Sequence, residues 1–187
     1  MKEPDIRDIA ILDAMPTHEC SKTVLNVGCG NGRIDYILDG MGYVVCATDY
    51  EKNESWNESD GLGFYQSDIF DLSTFPVHSS PIVICSEVLE HLKNYKAALA
   101  NLLILTKVRL IITVPFKKSF NNAAPPPEGH CNHWADSQNG EYTDINEFRL
   151  LCKPYSVSIS KIRTKPKDVE MEQWAYLIVV DKRQKYE

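Results

Sequence analysis

An apolar strand that runs directly into a glycine-rich turn constrains the fold of this chain more than any other feature. Residues 23–28 read TVLNVG, a composition suited to a strand that is buried on both faces. The turn contains Gly28, Gly30 and Gly32, and a helical pattern follows from Arg33 to Met41. Glycine allows a sharp turn and lets a ligand approach the backbone closely. A phosphate, a nucleoside or a methyl-donor cofactor would suit such a turn.

Further apolar runs extend this unit into a layered α/β domain. Strands are predicted at 43–49, 62–68, 81–87, 108–115, 157–164 and 174–181, and further helices at 5–14, 95–106 and 144–151. The first five strands are almost continuously apolar, as in a parallel sheet covered by helices. The last two alternate more and predict an antiparallel hairpin at one edge. We predict one doubly wound domain over residues 1–187, with an N-terminal helical segment at 1–20 and an active-site loop at 116–142.

Composition and charge narrow the classes of function. The net charge is −6 and the pI is near 5.4, which makes nucleic acid an unfavoured partner without excluding a local basic patch. No apolar run approaches the length of a membrane span, and the N-terminus has no signal-peptide pattern. Six cysteines occur without a CxxC pair, which is typical of reduced thiols. We therefore expect a cytoplasmic protein, and the oligomeric state stays open.

Two aspartates mark the ends of the second and third predicted strands. Asp49 lies about 20 residues beyond the glycines, where a carboxylate can accept hydrogen bonds from both hydroxyls of a ribose. Asp68 can accept a bond from an adenine amino group, although either residue can also simply stabilise a turn. The dinucleotide fingerprint requires a third glycine where this chain has Arg33, which argues against a dehydrogenase.

Four segments together resemble a known family. VLNVGCGNGR, ATDY, QSDIFDL and ICSEVLEHL are similar to successive motifs of class I S-adenosylmethionine-dependent methyltransferases, over roughly residues 23–115. The resemblance implies a seven-stranded sheet of order 3-2-1-4-5-7-6 with the seventh strand antiparallel. Only about a dozen residues separate the second and third strands, so we expect the usual intervening helix to be short or missing.

The resemblance also implies S-adenosylmethionine as the cofactor and assigns its contacts. The glycine turn would contact the methionine part, the acid of the second strand the ribose, and the segment after the third strand the adenine, while the end of the fourth strand would border the sulfonium. The cofactor-binding residues implied are Gly28, Cys29, Gly30, Gly32, Asp49, Tyr50, Asp68, Ile69, Ser86 and Glu87.

Histidines and glutamates after the fourth strand are the candidates for catalysis. An oxygen acceptor must lose a proton, and a histidine suits this as a general base. The candidates are His91 from SEVLEHL and His130 and His133 from EGHCNHW. Alternatively, a divalent metal would be bound by a set of carboxylates and imidazoles. Its candidate ligands are Glu87, Glu90, His91 and His130.

Three functions remain open on this basis. The leading hypothesis is methyl transfer to a small polar molecule, most simply to an oxygen atom. The ExxEH pattern with a distant histidine is also similar to metal-dependent enzymes that methylate the 2′-hydroxyl at small-RNA 3′ ends, which makes an RNA 2′-O-methyltransferase the alternative. A nucleotide-binding module without enzymatic activity is the third. Aromatic side chains near the long loop are candidates either for walls of an acceptor pocket or for core positions, namely Phe116, Phe120 and Trp134.

Overall fold

Seven strands form the sheet that carries the candidate site. The computed structural model describes residues 4–16, 22–57, 59–116, 130–137, 142–164 and 174–182. The strands are β1 (Thr23–Val27), β2 (Val44–Asp49), β3 (Leu62–Gln66), β4 (Ser80–Ser86), β5 (Thr106–Pro115), β6 (Ser156–Arg163) and β7 (Trp174–Asp181). Their order across the sheet is β3-β2-β1-β4-β5-β7-β6. Strands β1 to β5 are parallel, and β7 is antiparallel to both β5 and β6. The predicted order and the predicted edge hairpin are confirmed.

Four α-helices cover the two faces of this sheet. They are α1 (Ile6–Asp13), α2 (Arg33–Gly40), α3 (Tyr95–Leu105) and α4 (Glu147–Leu151). Two 3-10 turns, Leu72–Thr74 and Leu89–His91, follow β3 and β4. Asp5 caps α1 by accepting from the backbone N–H groups of Arg7 and Asp8, and Asn94 caps α3 through Ala97. These caps explain why both helices begin where they do.

Burial on both faces explains the continuously apolar strands. Neighbouring residues of a strand point to opposite faces, so Val24 packs with α1 and α2 while Leu25 packs with α3. In β5, Ile111 packs in the same core as Val24, and Ile112 packs in the same core as Leu25. Full burial of a leucine or isoleucine side chain contributes roughly 1.5–3 kcal/mol. The two cores together fix the sheet and thereby align the carboxyl ends of its parallel strands.

The structure corrects the predicted helix at 144–151. Only Glu147–Leu151 is helical, because Thr143 and Asp144 pair in parallel with Trp134 and Ala135 as a separate two-stranded sheet. This non-local pairing is not visible in the helical pattern of the segment. Between β2 and β3, residues 50–57 and 59–61 contain no helix, as expected. Much of the predicted active-site loop, residues 117–129 and 138–141, lies outside the described residues.

The described cysteines are all free thiols, namely Cys29, Cys46, Cys85, Cys131 and Cys152. None of the helices that the structure describes is long and apolar enough to cross a membrane.

Candidate active site

Two cavities lie side by side where the parallel strands end. The first, here the aspartate cavity, has a volume of about 360 Å³ and is lined by the ends of β2 and β3, including Asp49 and Asp68. The second, here the glycine cavity, measures about 310 Å³ and is lined by Gly28, Gly30 and residues of α1. Ligands of doubly wound sheets bind at this edge. The two cavities therefore form one candidate cleft.

Asp49 lies at the junction of the two cavities. It ends β2 and lines the aspartate cavity, and its Oδ2 accepts a hydrogen bond from the backbone N–H of Gly30 at 2.7 Å. That N–H belongs to the turn that borders the glycine cavity. The carboxylate thus ties the turn to β2 and still lines open space in the cavity.

The segment after β3, which is predicted to contact the adenine, lines the aspartate cavity. The Oδ1 of Asp68 accepts from the backbone N–H of Phe70 at 2.9 Å, so the carboxylate also stabilises its own turn. Ile69 is buried and lines the cavity, and its carbonyl accepts from the Asn101 amide at 2.8 Å. Tyr50 and Phe70 are exposed at the mouth. The residues predicted to bind adenosine are brought together, with an apolar floor and two aromatic rings.

Glycine is needed at the three positions of the turn for different structural reasons. A Cβ at Gly28 would lie 2.2 Å from Val88, and one at Gly32 would lie 2.7 Å from the ring of Phe64. A Cβ at Gly30 would meet no atom within 4 Å. Gly28 and Gly32 are therefore required by packing within the protein. Only Gly30 opens onto space that a ligand can fill.

Two hydrogen bonds anchor the start of the turn. The backbone N–H groups of Gly28 and Cys29 both donate to the carbonyl of Thr48, at 2.8 and 3.0 Å. Cys29 is buried, and burial strongly raises the pKa of its thiol. The Cys29 side chain therefore stays protonated and packs as a small apolar group.

A buried polar pair beneath the turn was not predicted. Asn26 of β1 donates through Nδ2 to both carboxylate oxygens of Asp35 on α2, at 2.9 and 3.0 Å. Both residues are almost fully buried. The pair joins the strand before the glycine turn to the helix after it. A polar residue within the apolar run TVLNV was the available sequence signal.

This pair predicts a pH dependence of stability. Burial raises the folded-state pKa of Asp35 from 3.8 to about 7, because the charged form is desolvated. The folded state then binds the proton more tightly than the unfolded state. The contribution of Asp35 to the free energy of unfolding is present below pH 4 and is lost as the pH rises to 7, by about 1.4 kcal/mol per unit of pKa. Asp35→Asn should remove that loss.

Urea unfolding between pH 4 and pH 8 measures this effect. The slope of unfolding free energy against pH should be less negative in Asp35→Asn than in the wild type. Asp39→Asn is the matched control, since Asp39 lies on the same helix and its side chain accepts a hydrogen bond from the exposed Ser59 hydroxyl. Equal slopes in the Asp35 variant and the wild type would show that Asp35 titrates normally.

The end of β4 carries a short polar relay. The Ser86 hydroxyl lies 2.8 Å from Oγ1 of Thr113, which donates to Oε1 of Glu87 at 2.9 Å. The other carboxylate oxygen of Glu87 pairs with Arg7 of α1 at 3.0 Å. Ser86 and Glu87, which are predicted to border the sulfonium, both line the glycine cavity, whereas Arg7 and Thr113 were not predicted.

The segment after β4 does not form a regular helix. Glu87 has a left-handed backbone with φ of 56°, and Leu89–His91 form a 3-10 turn before α3 begins at Tyr95. Glu87 is therefore not stacked one helical turn from Glu90 and His91. The left-handed residue redirects the chain, and strained backbone of this kind is characteristic of functional sites.

Backbone bonds dock the segment 130–133 onto this 3-10 turn. The N–H groups of Cys131 and Asn132 donate to the carbonyl of Glu90, at 2.6 and 3.1 Å. The Asn132 amide donates to the carbonyls of Leu89 and Leu92. As a result the rings of His91 and His130 meet edge to face at 4.6 Å, and His133 lies 5.9 Å from His130.

Three potential metal ligands meet at this point. Ligand atoms of Glu90, His91 and His130 all lie within 4.8 Å of one another. Glu90 is 1% exposed, and its Oε2 has no hydrogen-bond partner among the described residues. Burial and the neighbouring histidines lower the pKa of His130, which favours the neutral form that binds a metal or accepts a proton. Glu87, the fourth predicted ligand, is outside this group.

The predicted aromatic walls are only partly in place. Trp134 is fully buried and packs edge to face on Tyr95 at 5.4 Å, so it belongs to the core and not to an acceptor pocket. Phe116 follows β5 and packs on Tyr176, with the Lys161 ammonium 4.1 Å above its ring. Phe120 lies outside the described residues.

Two of the parallel strands end in or just before an aspartate, beside a glycine-rich turn. This fold is that of the class I methyltransferases, which bind a nucleoside cofactor. A family model described as "Methyltransferase domain" matches residues 25–108. The chain is also 33% identical over 86 residues to the ubiquinone biosynthesis O-methyltransferase of Rickettsia canadensis. That alignment spans 42% of this chain and 36% of the length of the curated relative.

Two solved structures share the fold over nearly the whole chain. A putative S-adenosylmethionine-dependent methyltransferase from Listeria monocytogenes superimposes with a TM-score of 0.66 at 18% identity, covering 95% of this chain and 98% of its own. The methyltransferase domain of bacterial-CtHen1-CN has a TM-score of 0.60 at 18% identity, with coverages of 92% and 94%. At these identities they establish the fold. The fold is that of the class I S-adenosylmethionine-dependent methyltransferases, and residues 25–108 are similar to the methyltransferase domain.

Proposed function

We propose that the protein transfers the methyl group of S-adenosylmethionine to an oxygen atom of a small polar molecule. The observation that carries this proposal is the group of Glu90, His91 and His130, which begins three residues after Glu87, a residue that lines the glycine cavity. The sulfonium already activates the methyl group, so the protein has to position the acceptor and help remove its proton. Nitrogen and sulfur acceptors depend less on such a base.

His91 and His130 are proposed to hold or receive the acceptor proton. His91 is exposed at the end of the 3-10 turn, and His130 contacts it from the docked segment. His133 contacts His130 and belongs to the same group. A neutral imidazole is the form that can accept a proton, and the lowered pKa of His130 favours it.

The same group also fits a divalent metal. Glu90, His91 and His130 offer one carboxylate and two imidazoles, a donor set that suits magnesium, manganese or zinc more than a soft metal. A metal bound there would lower the pKa of a coordinated hydroxyl. The unpartnered buried oxygen of Glu90 is the observation that supports this version.

The oxygen acceptor is supported by one further comparison. The curated relative from Rickettsia canadensis is named as an O-methyltransferase of ubiquinone biosynthesis. We carry over to this chain only the reaction type, transfer to oxygen. We expect the protein in the cytoplasm, and the free thiols of the described cysteines support that expectation.

A second candidate function is metal-assisted methylation of an RNA 2′-hydroxyl. The convergence of Glu90 and His91 with a distant histidine supports it, because this is the pattern that the sequence resemblance implied. The net charge of −6 argues against it, since broad RNA-binding surfaces are basic.

A methyl-transfer assay with labelled S-adenosylmethionine separates these functions. The acceptors are a set of catechols and polyhydroxylated metabolites, matched amines, and a short RNA with a free 3′-terminal ribose. Each is tested with added magnesium, manganese or zinc and after treatment with a chelator. We expect label on a small hydroxyl compound. Label only on amines would overturn the oxygen proposal, and label only on RNA would establish the second candidate.

A further inference from the structure

The segment between β2 and β3 is hydrogen-bonded to the glycine turn. Residues 50–57 contain no helix, so an irregular stretch of chain takes the place of the usual connecting helix. The indole N–H of Trp56 donates to the carbonyl of Gly30 at 2.8 Å, and the Ser55 hydroxyl donates to the carbonyl of Asn31 at 3.3 Å. The segment therefore holds two consecutive carbonyls of the turn.

An aromatic stack fixes the orientation of this indole. Trp56 stacks on Phe64 of β3, with ring centroids 5.2 Å apart and 12° between the ring planes. Phe64 is itself buried in the core. The hydroxyl of Tyr36 on α2 donates to the carbonyl of Ser55 and accepts from the backbone N–H of Asn57, both at 2.9 Å. Trp56 is thus anchored through its ring and through both of its neighbours in the chain.

Gly30 is held at both of its backbone groups. Its N–H donates to Oδ2 of Asp49 at 2.7 Å, and its carbonyl accepts from Trp56. The two bonds lie on either side of the Gly30 Cα, so they restrict both backbone torsions of a residue with φ of 54°, a conformation that glycine adopts readily. An ionised carboxylate accepts several hydrogen bonds, so Asp49 can hold this N–H and the ribose hydroxyls together.

We propose that Trp56 is a positioning residue for cofactor binding. Through the carbonyl of Gly30 it keeps the turn in the conformation that aims the Gly30 N–H at Asp49, and this N–H in turn orients the carboxylate for the ribose. The turn is arranged before the ligand arrives, which reduces the ordering that binding must cost. The inference deepens the proposed function and rests on it, because it assumes that S-adenosylmethionine binds in this cleft.

Calorimetric titration with S-adenosylhomocysteine tests this role. Trp56→Phe keeps an aromatic ring on Phe64 and removes the N–H donor. It should weaken binding by about 3- to 10-fold, the range of one hydrogen bond between uncharged groups. In the NMR spectrum of the wild type, the indole N–H signal that is absent from Trp56→Phe should shift as the ligand is added, because the acceptor of that N–H belongs to the turn.

A double-mutant cycle distinguishes positioning from a general loss of structure. In Asp49→Ala the Gly30 N–H has lost its acceptor, so the conformation that Trp56 maintains no longer orients a carboxylate. Trp56→Phe should therefore weaken binding much less in the Asp49→Ala protein than in the wild type. A side chain that only stabilises the fold would give the same fold-change in both proteins.

The controls separate this inference from the proposed function. Trp174→Phe makes the same substitution on β7, several strands away from β3, and should bind as the wild type does. If Trp56→Phe does not fold, Tyr36→Phe releases the segment while keeping the indole, and wild-type affinity in that variant would overturn the inference. Unchanged affinity in Trp56→Phe, equal losses in the two backgrounds, or an indole signal that the ligand does not shift would also overturn it, while the cofactor proposal stands. A wild type that does not bind S-adenosylhomocysteine would overturn both.

Discussion

Replacement of Asp49 with alanine is expected to weaken the binding of S-adenosylhomocysteine by about 100-fold or more. We predict that the carboxylate accepts hydrogen bonds from both ribose hydroxyls, and bonds to a charged group contribute about 1.5–3 kcal/mol each. Two such bonds correspond to about 3 kcal/mol or more, which is at least two orders of magnitude in the dissociation constant. The substitution also removes the hydrogen bond of 2.7 Å that the backbone N–H of Gly30 donates to Asp49.

Calorimetry on three proteins checks this expectation. Asp49→Asn keeps the shape of the side chain and loses the charge, so it should fall between the wild type and Asp49→Ala. Asp60→Ala is the control, because Asp60 is exposed near the start of β3. It therefore lies at the end of the parallel strands that is opposite to Asp49. If Asp49→Ala bound the ligand as tightly as the wild type, the ribose would lie elsewhere and the assignment of this strand end would be wrong.

The strands of this fold were predictable because burial on both faces leaves a simple pattern. Strand β1 was predicted at 23–28 and spans Thr23–Val27, and β7 agrees with its predicted bounds at both ends. A strand inside a two-sided core is apolar at most positions, as Val24 and Leu25 show by facing different cores. The order of the strands came from the family resemblance and not from this pattern.

The failures arose where distant parts of the chain decide local structure. Thr143 and Asp144 read as the start of a helix, but pairing with Trp134 and Ala135 makes them a strand. Trp134 itself read as a pocket wall, because its position beyond β5 says nothing about the Tyr95 ring that covers it. Sequence patterns report local periodicity, and such contacts are set by the fold as a whole.

The residues of the candidate site also divide into those that local sequence patterns predict and those that depend on distant contacts. Asp49 and Asp68 were found because each ends a strand, and parallel strands bring their ends to one edge. The ion pair of Arg7 with Glu87 joins residues 80 positions apart, so no local signal announces it. The left-handed backbone of Glu87 was also hidden, since glutamate rarely adopts it and the fold imposes it here.

His91→Ala is expected to lower kcat by about 100-fold or more while leaving the affinity for S-adenosylhomocysteine nearly unchanged. A positioned general base contributes typically 10²- to 10⁴-fold, and loss of a metal ligand would have a comparable effect. His91 meets His130 beside Glu90, and the residues lining the two cavities do not include it. His78→Ala is the control, because His78 is exposed just before β4 begins, whereas His91 follows the end of β4. A large loss of cofactor affinity would instead indicate a structural histidine.

Glu90→Gln distinguishes the two roles that this group can have. Glutamine preserves the size of the side chain but is a much weaker metal ligand than a carboxylate. If the histidines act as bases alone, activity should persist in chelator and should fall little in Glu90→Gln. Glu90 is 1% exposed and therefore takes no proton from the acceptor itself. If a metal is bound, chelator should abolish activity in the wild type, added manganese should restore it, and Glu90→Gln should shift the manganese concentration needed upward by at least about tenfold. The unpartnered Oε2 of Glu90 supports the second result, because a cation would offset the desolvation of a buried carboxylate whose pKa burial raises to about 8.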